Sequence, residues 1–155
     1  MSEINWCLKQ KFELKLVERN ENLAKAYLKM AEDSLGTMNR EKDKNIVFGV
    51  SACYYSMYYS LYAVMQKIGI KCEIHSCSIA FARKFLSEFY DADNVKLIEL
   101  AFSLRNDFQY YVNRSVDKSN VAKILDGAYG FFVKSRDVLS RVSDAEIKKI
   151  RRENG

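Results

Sequence analysis

Arg105, Asn106, Gln109 and Tyr110 lie close together in the run Leu104-Arg105-Asn106-Asp107-Phe108-Gln109-Tyr110-Tyr111. They offer a guanidinium fork, two carboxamides and a phenol, the donor set that grips an anion such as a phosphate. Read as a helix, the segment places Leu97, Ala101, Leu104, Phe108 and Tyr111 on one apolar face, at steps of four and three. Ile98, Phe102, Arg105 and Gln109 form the adjoining row, and Asn106 and Tyr110 sit one turn apart on a third. The four polar residues therefore make one patch on the flank of an apolar stripe. A guanidinium beside a core is costly unless something uses it, which makes this patch the candidate ligand-binding site. The competing role for Arg105 and Asn106 is structural, a network at a helix end or dimer seam that bonds exposed carbonyls or a partner carboxylate.

His75 is the one histidine, hence the one ordinary proton shuttle near neutral pH. With Arg105 and Tyr110 it completes the set of candidate catalytic residues, although a place just before a helix suits capping or packing better. Cys72, His75 and Cys77 invite a zinc reading, but their spacing is cramped and no second ligand pair accompanies them. No metal and no cofactor are expected. The four cysteines, at 7, 53, 72 and 77, show no paired framework. Cys53 falls in an apolar run where it acts as a small hydrophobe, and a reducing cytoplasm suits the set.

The elements that must position these residues are helices. The chain has 155 residues, 48% of them apolar, with no proline and six glycines, which fits one all-α domain with a sizeable core. From an Asn20 or Asn22 cap, the spacing Ala24, Tyr27, Leu28, Ala31, Leu35, Met38 predicts an amphipathic helix. A second helix, from about Asp43 to Ile68, stops at Gly69. It carries one row of Val47, Val50, Tyr54, Met57, Leu61, Val64 and Ile68, and another of Phe48, Ala52, Tyr55, Tyr59 and Tyr62. Such a helix is either central in a bundle or shared with a partner chain. Its tyrosines read as core packing with hydroxyls reaching the surface.

A third helix opens at His75 or Ser76, with Ile79, Phe81, Ala82, Phe85, Leu86 and Phe89 inward. The fourth carries the polar patch. The fifth, after an Asp117 or Ser119 cap, turns Val121, Ile124, Leu125, Ala128, Phe131, Phe132, Val138 and Leu139 inward. Short connections then predict an up-and-down bundle of four to five helices over 20–142. A segment over 1–19 precedes it, where Phe12, Leu14 and Leu16 alternate with Glu13 and Lys15 and suit either an extended stretch or a short helix. A charged tail over 143–155 follows, with Asp144 to Arg152 as a further terminal helix.

Net charge is +5 and the sequence pI near 8.9, which permits an anionic partner without forming a dedicated basic stripe. Lys148, Lys149, Arg151 and Arg152 are partly offset by Asp144, Glu146 and Glu153, as on a solvated helix face. Glu3, Asn5, Lys9, Gln10 and Lys11 give the beginning of the chain no signal-peptide character. The uncharged stretch Asn45 to Gln66 holds five tyrosines and three serines, so it reads as a buried helix rather than a membrane span.

Several of these pieces together resemble the HEPN domain family of helical bundles. Ala52-Cys53-Tyr54-Tyr55-Ser56-Met57-Tyr58-Tyr59 is similar to its paired-tyrosine second helix, and Ile74-His75-Ser76 to the opening of its third. Leu104-Arg105-Asn106 followed by Tyr110 is similar to its fourth-helix signature, and Ala128 to Leu139 to its last helix. The resemblance covers roughly residues 20–140 and implies a homodimer. It also implies either a metal-independent ribonuclease, a toxin–antitoxin partnership with a minimal nucleotidyltransferase, or a non-catalytic binding module for RNA or nucleotide. Arg105 would be the motif arginine and Asn106 its polar companion. The motif histidine, expected four to six residues after the arginine, is replaced by Tyr110, Tyr111 and Val112. Cleavage through a 2′-hydroxyl needs a group that exchanges protons near neutrality, and a phenol of ordinary pKa about 10 does little of that. The expectation is therefore anion or partner binding at Arg105, Asn106, Gln109 and Tyr110. A divergent ribonuclease and a purely structural dimer are the alternatives.

Overall fold

The computed structural model describes residues 3–9, 14–113 and 115–155. Along the chain these form α1 (Glu3–Lys9), β1 (Lys15–Leu16), α2 (Glu21–Glu41), α3 (Ile46–Ile68), β2 (Ile70–Lys71), α4 (His75–Phe85), α5 (Ala92–Tyr110), α6 (Lys118–Arg141) and α7 (Asp144–Glu153). The all-α bundle forms as expected, but with seven helices among the described residues rather than four to five. The additional helices lie toward the two ends, where Ile4 and Cys7 of α1 and Ile147 and Ile150 of α7 bury themselves in the same core as the long helices. Of the segment left between helix and strand, Gln10, Lys11, Phe12 and Glu13 lie outside the described residues. On either side of them the chain is helical at Glu3–Lys9 and extended at Lys15–Leu16.

Each long helix starts where a side-chain oxygen can take up an orphan backbone N–H. Asn20 caps α2 through Leu23 N at 2.8 Å, and Asn45 caps α3 through Phe48 N at 3.3 Å. Asp91 and Asn94 close a reciprocal box on α5, as Ser143 and Glu146 do on α7. Asp117 caps α6 through Ser119 N at 2.8 Å. The α4 helix differs: its cap residue is Ile74, which has no side-chain acceptor to offer.

The doubly apolar α3 is the centre of the bundle. Sixteen of its 23 residues are buried, and it packs on α2 most extensively, then on α6 and α5. Two of its buried serines satisfy themselves on the helix's own carbonyls, Ser56 on Cys53 and Ser60 on Ser56, both at 2.6 Å. Close approach to α2 at the α2–α3 turn requires Gly49, because a Cβ there would lie 2.9 Å from Lys42 Cα. Among the described residues no helix is long and apolar enough to cross a membrane.

At its far end α3 stops at Gly69, whose φ of +86° only glycine adopts readily. The exit runs into the two-residue ribbon, where Lys15 faces Lys71 and Leu16 faces Ile70 antiparallel. Arg151 of α7 closes this corner by donating from Nη1 to the carbonyls of Val17, Ile68 and Gly69 at 2.9, 2.9 and 3.0 Å. The basic cluster near the end is thus more than a wetted face. One of its arginines neutralises the negative end of the central helix.

The expectation of unpaired cysteines is corrected: Cys7 of α1 and Cys77 of α4 form a disulfide, with Cα atoms 5.6 Å apart. Seventy residues separate the two in sequence, so no local spacing could announce it. Cys53 and Cys72 are buried outside any disulfide. Cys53 donates its thiol to Ile124 O at 3.3 Å, and burial pushes its pKa up to about 12, which keeps it inert.

Candidate functional site

Arg105 sits on the second turn from the end of α5, and only 8% of it is exposed. The sequence placed it on the flank of the buried face. In the fold it belongs to that face, beside Ile98, Ala101 and Leu104, while Tyr111 has left the helix and is exposed. The reason is α3, whose Tyr54 and Tyr55 reach over to take the guanidinium. Arg105 Cζ lies 4.9 Å from the Tyr54 ring centre, 5.7 Å from Tyr55 and 5.5 Å from Phe102. Three aromatic rings thus supply partial negative charge to a cation held out of water.

What they do not supply is an acceptor. Among the described residues Arg105 has no carboxylate within ion-pair reach, and its one hydrogen bond is a long one, Nη1 to Gln109 Oε1 at 3.4 Å. Gln109 is held in turn by Ser51 of α3, donating Nε2 to Ser51 Oγ at 3.0 Å. Arg105 Nε is buried without any partner. Nη2 also lacks an acceptor among the described residues but is not sealed from solvent. Nε–H and Nη2–H form the edge of a guanidinium that meets a carboxylate or phosphate side-on through two parallel bonds. The bond to Gln109 fixes the plane and leaves that edge empty.

His75, the first residue of α4, joins the same cluster from the other side. Its ring stacks on Tyr58 at 3.9 Å and 21°, and its Nδ1 lies 2.7 Å from the Tyr54 hydroxyl. Burial first, and the Arg105 charge second, hold its pKa below the ordinary 6.5. Burial raises the Tyr54 phenol well above its usual range. Both groups are therefore neutral at pH 7. The Tyr54 hydroxyl has no other acceptor among the described residues, so it donates to Nδ1 and leaves the imidazole proton on Nε2. In that tautomer the proton is on Nε2 and the Nδ1 lone pair is taken up by Tyr54, so neither nitrogen is free to act as a general base.

Of the residues expected at the site, the fold links Arg105 to Gln109 and brings His75 to the same aromatic cluster. Asn106 is half-buried and Tyr110 is 68% exposed, and neither side chain hydrogen-bonds with Arg105 or any other described residue. Ser51, Tyr54, Tyr55 and Phe102 were not foreseen as its lining. A signal existed in the Ser51-to-Tyr55 spacing of four on one helix and the Phe102-to-Arg105 spacing of three on another, but nothing local says that the two rows face each other. The zinc reading finds no support in these contacts: Cys77 is in the disulfide, Cys72 Sγ bonds Ile74 O at 3.1 Å and His75 bonds Tyr54. No group of metal-ligating side chains occurs among the described residues. Compared with known proteins, the sequence matches no protein-family model and no curated protein.

Proposed function

We propose that this chain is a HEPN-like binding module whose Arg105 grips a phosphate of RNA or of a nucleotide through its unoccupied Nε/Nη2 edge. The single observation that carries the reading is a buried guanidinium with an orphaned Nε and no compensating carboxylate. A fold that needed Arg105 for stability alone would give that charge a carboxylate or carbonyl partner, because an unpaired buried donor costs about 1–3 kcal/mol. Phosphate suits the fork, and a net charge of +5 favours the approach of a polyanion. Binding is preferred over cleavage because the one histidine presents an N–H. The family resemblance further proposes a homodimer that places two such sites near each other, and a minimal nucleotidyltransferase as a protein partner.

The test is fluorescence anisotropy with a short fluorescein-labelled oligoribonucleotide in metal-free buffer, for the wild type, Arg105→Ala and Arg105→Met. At least a tenfold loss of affinity is expected in both variants, equal to about 1.4 kcal/mol. The melting temperature of Arg105→Met should stay level or rise, since an apolar chain of similar length removes the unpaired donor. Unchanged affinity, or weaker binding that only tracks a falling melting temperature, would make Arg105 a structural residue. Gel analysis of the same mixtures separates binding from a ribonuclease, because cut RNA would appear with the wild type alone.

A further inference from the structure

We propose that the Cys7–Cys77 disulfide is a redox control on the Arg105 site, holding it in a binding-competent form when oxidised and releasing it when reduced. The inference rests on the reading of Arg105 as a ligand site. Cys77 lies in the first turn of α4, two residues after His75. That turn is the one among α2 to α7 that lacks a side-chain cap, so its first N–H groups receive no help from the chain before it. The covalent link to α1 holds it instead. Among the described residues α1 packs chiefly on α4, inserts Ile4 and Cys7 into the core with Leu8 against it, and adds an exposed Glu3–Arg83 ion pair at 3.4 Å. Such a pair contributes little.

His75 is the first residue of this same turn, and its contacts with Tyr58 and Tyr54 brace the ring beneath the guanidinium. A dithiol reductant reaches the buried sulfurs when α1 lifts from α4. Its thiolate attacks one sulfur, the Cys7–Cys77 bond breaks, and the other cysteine leaves as a thiolate that takes a proton. The second reductant thiol then resolves the mixed disulfide. The reductant ends as its own disulfide, and the protein gains two electrons and two protons as two thiols. Freed of the link, the uncapped turn frays, the His75 ring leaves its stack, and Tyr54 loses the acceptor that fixes it under Arg105. A glutathione-type thiol–disulfide couple has the chemistry to set the ratio of the two forms.

A single histidine makes the test direct, because its ring Cε1–H gives one resolved proton–carbon NMR signal. That signal and the affinity for the fluorescein-labelled oligoribonucleotide are to be measured on oxidised protein, on dithiothreitol-reduced protein and on Cys7→Ser, with far-UV circular dichroism on each. Reduction should lower affinity about tenfold and move the His75 signal toward that of a solvated ring, with helix content changed by no more than the one frayed turn. Cys7→Ser should match the reduced wild type and ignore the reductant. Equal affinity in both redox states, with Arg105→Ala still defective, sinks the control and leaves the ligand site standing. If no form binds the probe, the ligand reading fails while the His75 signal still decides the coupling: an unmoved signal overturns it, a shifted one supports it. Loss of helix content well beyond that one turn also overturns the proposal, since the bond is then a staple for the whole fold.

Discussion

His75 titrates against its surroundings, and the direction can be read from its neighbours. Its ring is pressed on Tyr58 and stands in the field of Arg105, so the folded chain refuses a proton that the unfolded chain accepts below pH 6.5. The stability it contributes is fully present above about pH 6.5 and is lost as pH falls from there toward the depressed folded value. The stability gap between wild type and His75→Gln, taken from urea midpoints, should therefore narrow between pH 7 and pH 5. Comparison with the variant removes the carboxylates common to both chains. A constant gap would mean that the ring is not held neutral. The same neighbours show why Arg105 was only half legible: the residue and its polar character were plain in the sequence, but its cage comes from another helix.

Between helices the informative feature is the corner where α3 ends. Periodicity placed the stop at Gly69, and a φ of +86° there explains why. What periodicity could not see is that Arg151 and the carbonyl of Val17 fill the space a Cβ would occupy, the carbonyl at 2.6 Å. Gly69→Ala must therefore strain the backbone and push the α7 arginine out of the corner. The expected cost is about 1–3 kcal/mol in chemical denaturation. A variant as stable as the wild type would show that α7 does not clamp this exit. The starts at Asn20 and Asp117 were readable because a cap is local chemistry, whereas α3 begins at Ile46 behind its Asn45 cap rather than near Asp43. Tyr90, buried with its hydroxyl 2.7 Å from Ser135, was missed because it falls in the turn between two helices rather than on a repeating face.

Across the whole chain, the Cys7–Cys77 bond closes a loop of seventy residues. Restricting the unfolded chain over that length corresponds to about 4 kcal/mol of stability. Reduced protein should unfold at a correspondingly lower guanidinium concentration and remain folded in its absence, as an equilibrium denaturation curve would show. An unchanged midpoint would mean that the bond adds nothing to the native state. Composition without proline, the 3.6-residue rhythm and the capping residues by themselves determined an all-helical bundle, the two apolar faces of α3 and the candidacy of Arg105, since each is a local property of neighbouring residues. Tertiary structure alone decided that α3 lies at the centre, that α1 and α7 share the core, that Cys7 meets Cys77, and that Tyr54, Tyr55 and His75 gather around one guanidinium. Those are meetings between residues distant along the chain, set by how helical faces pack, and no local pattern encodes them.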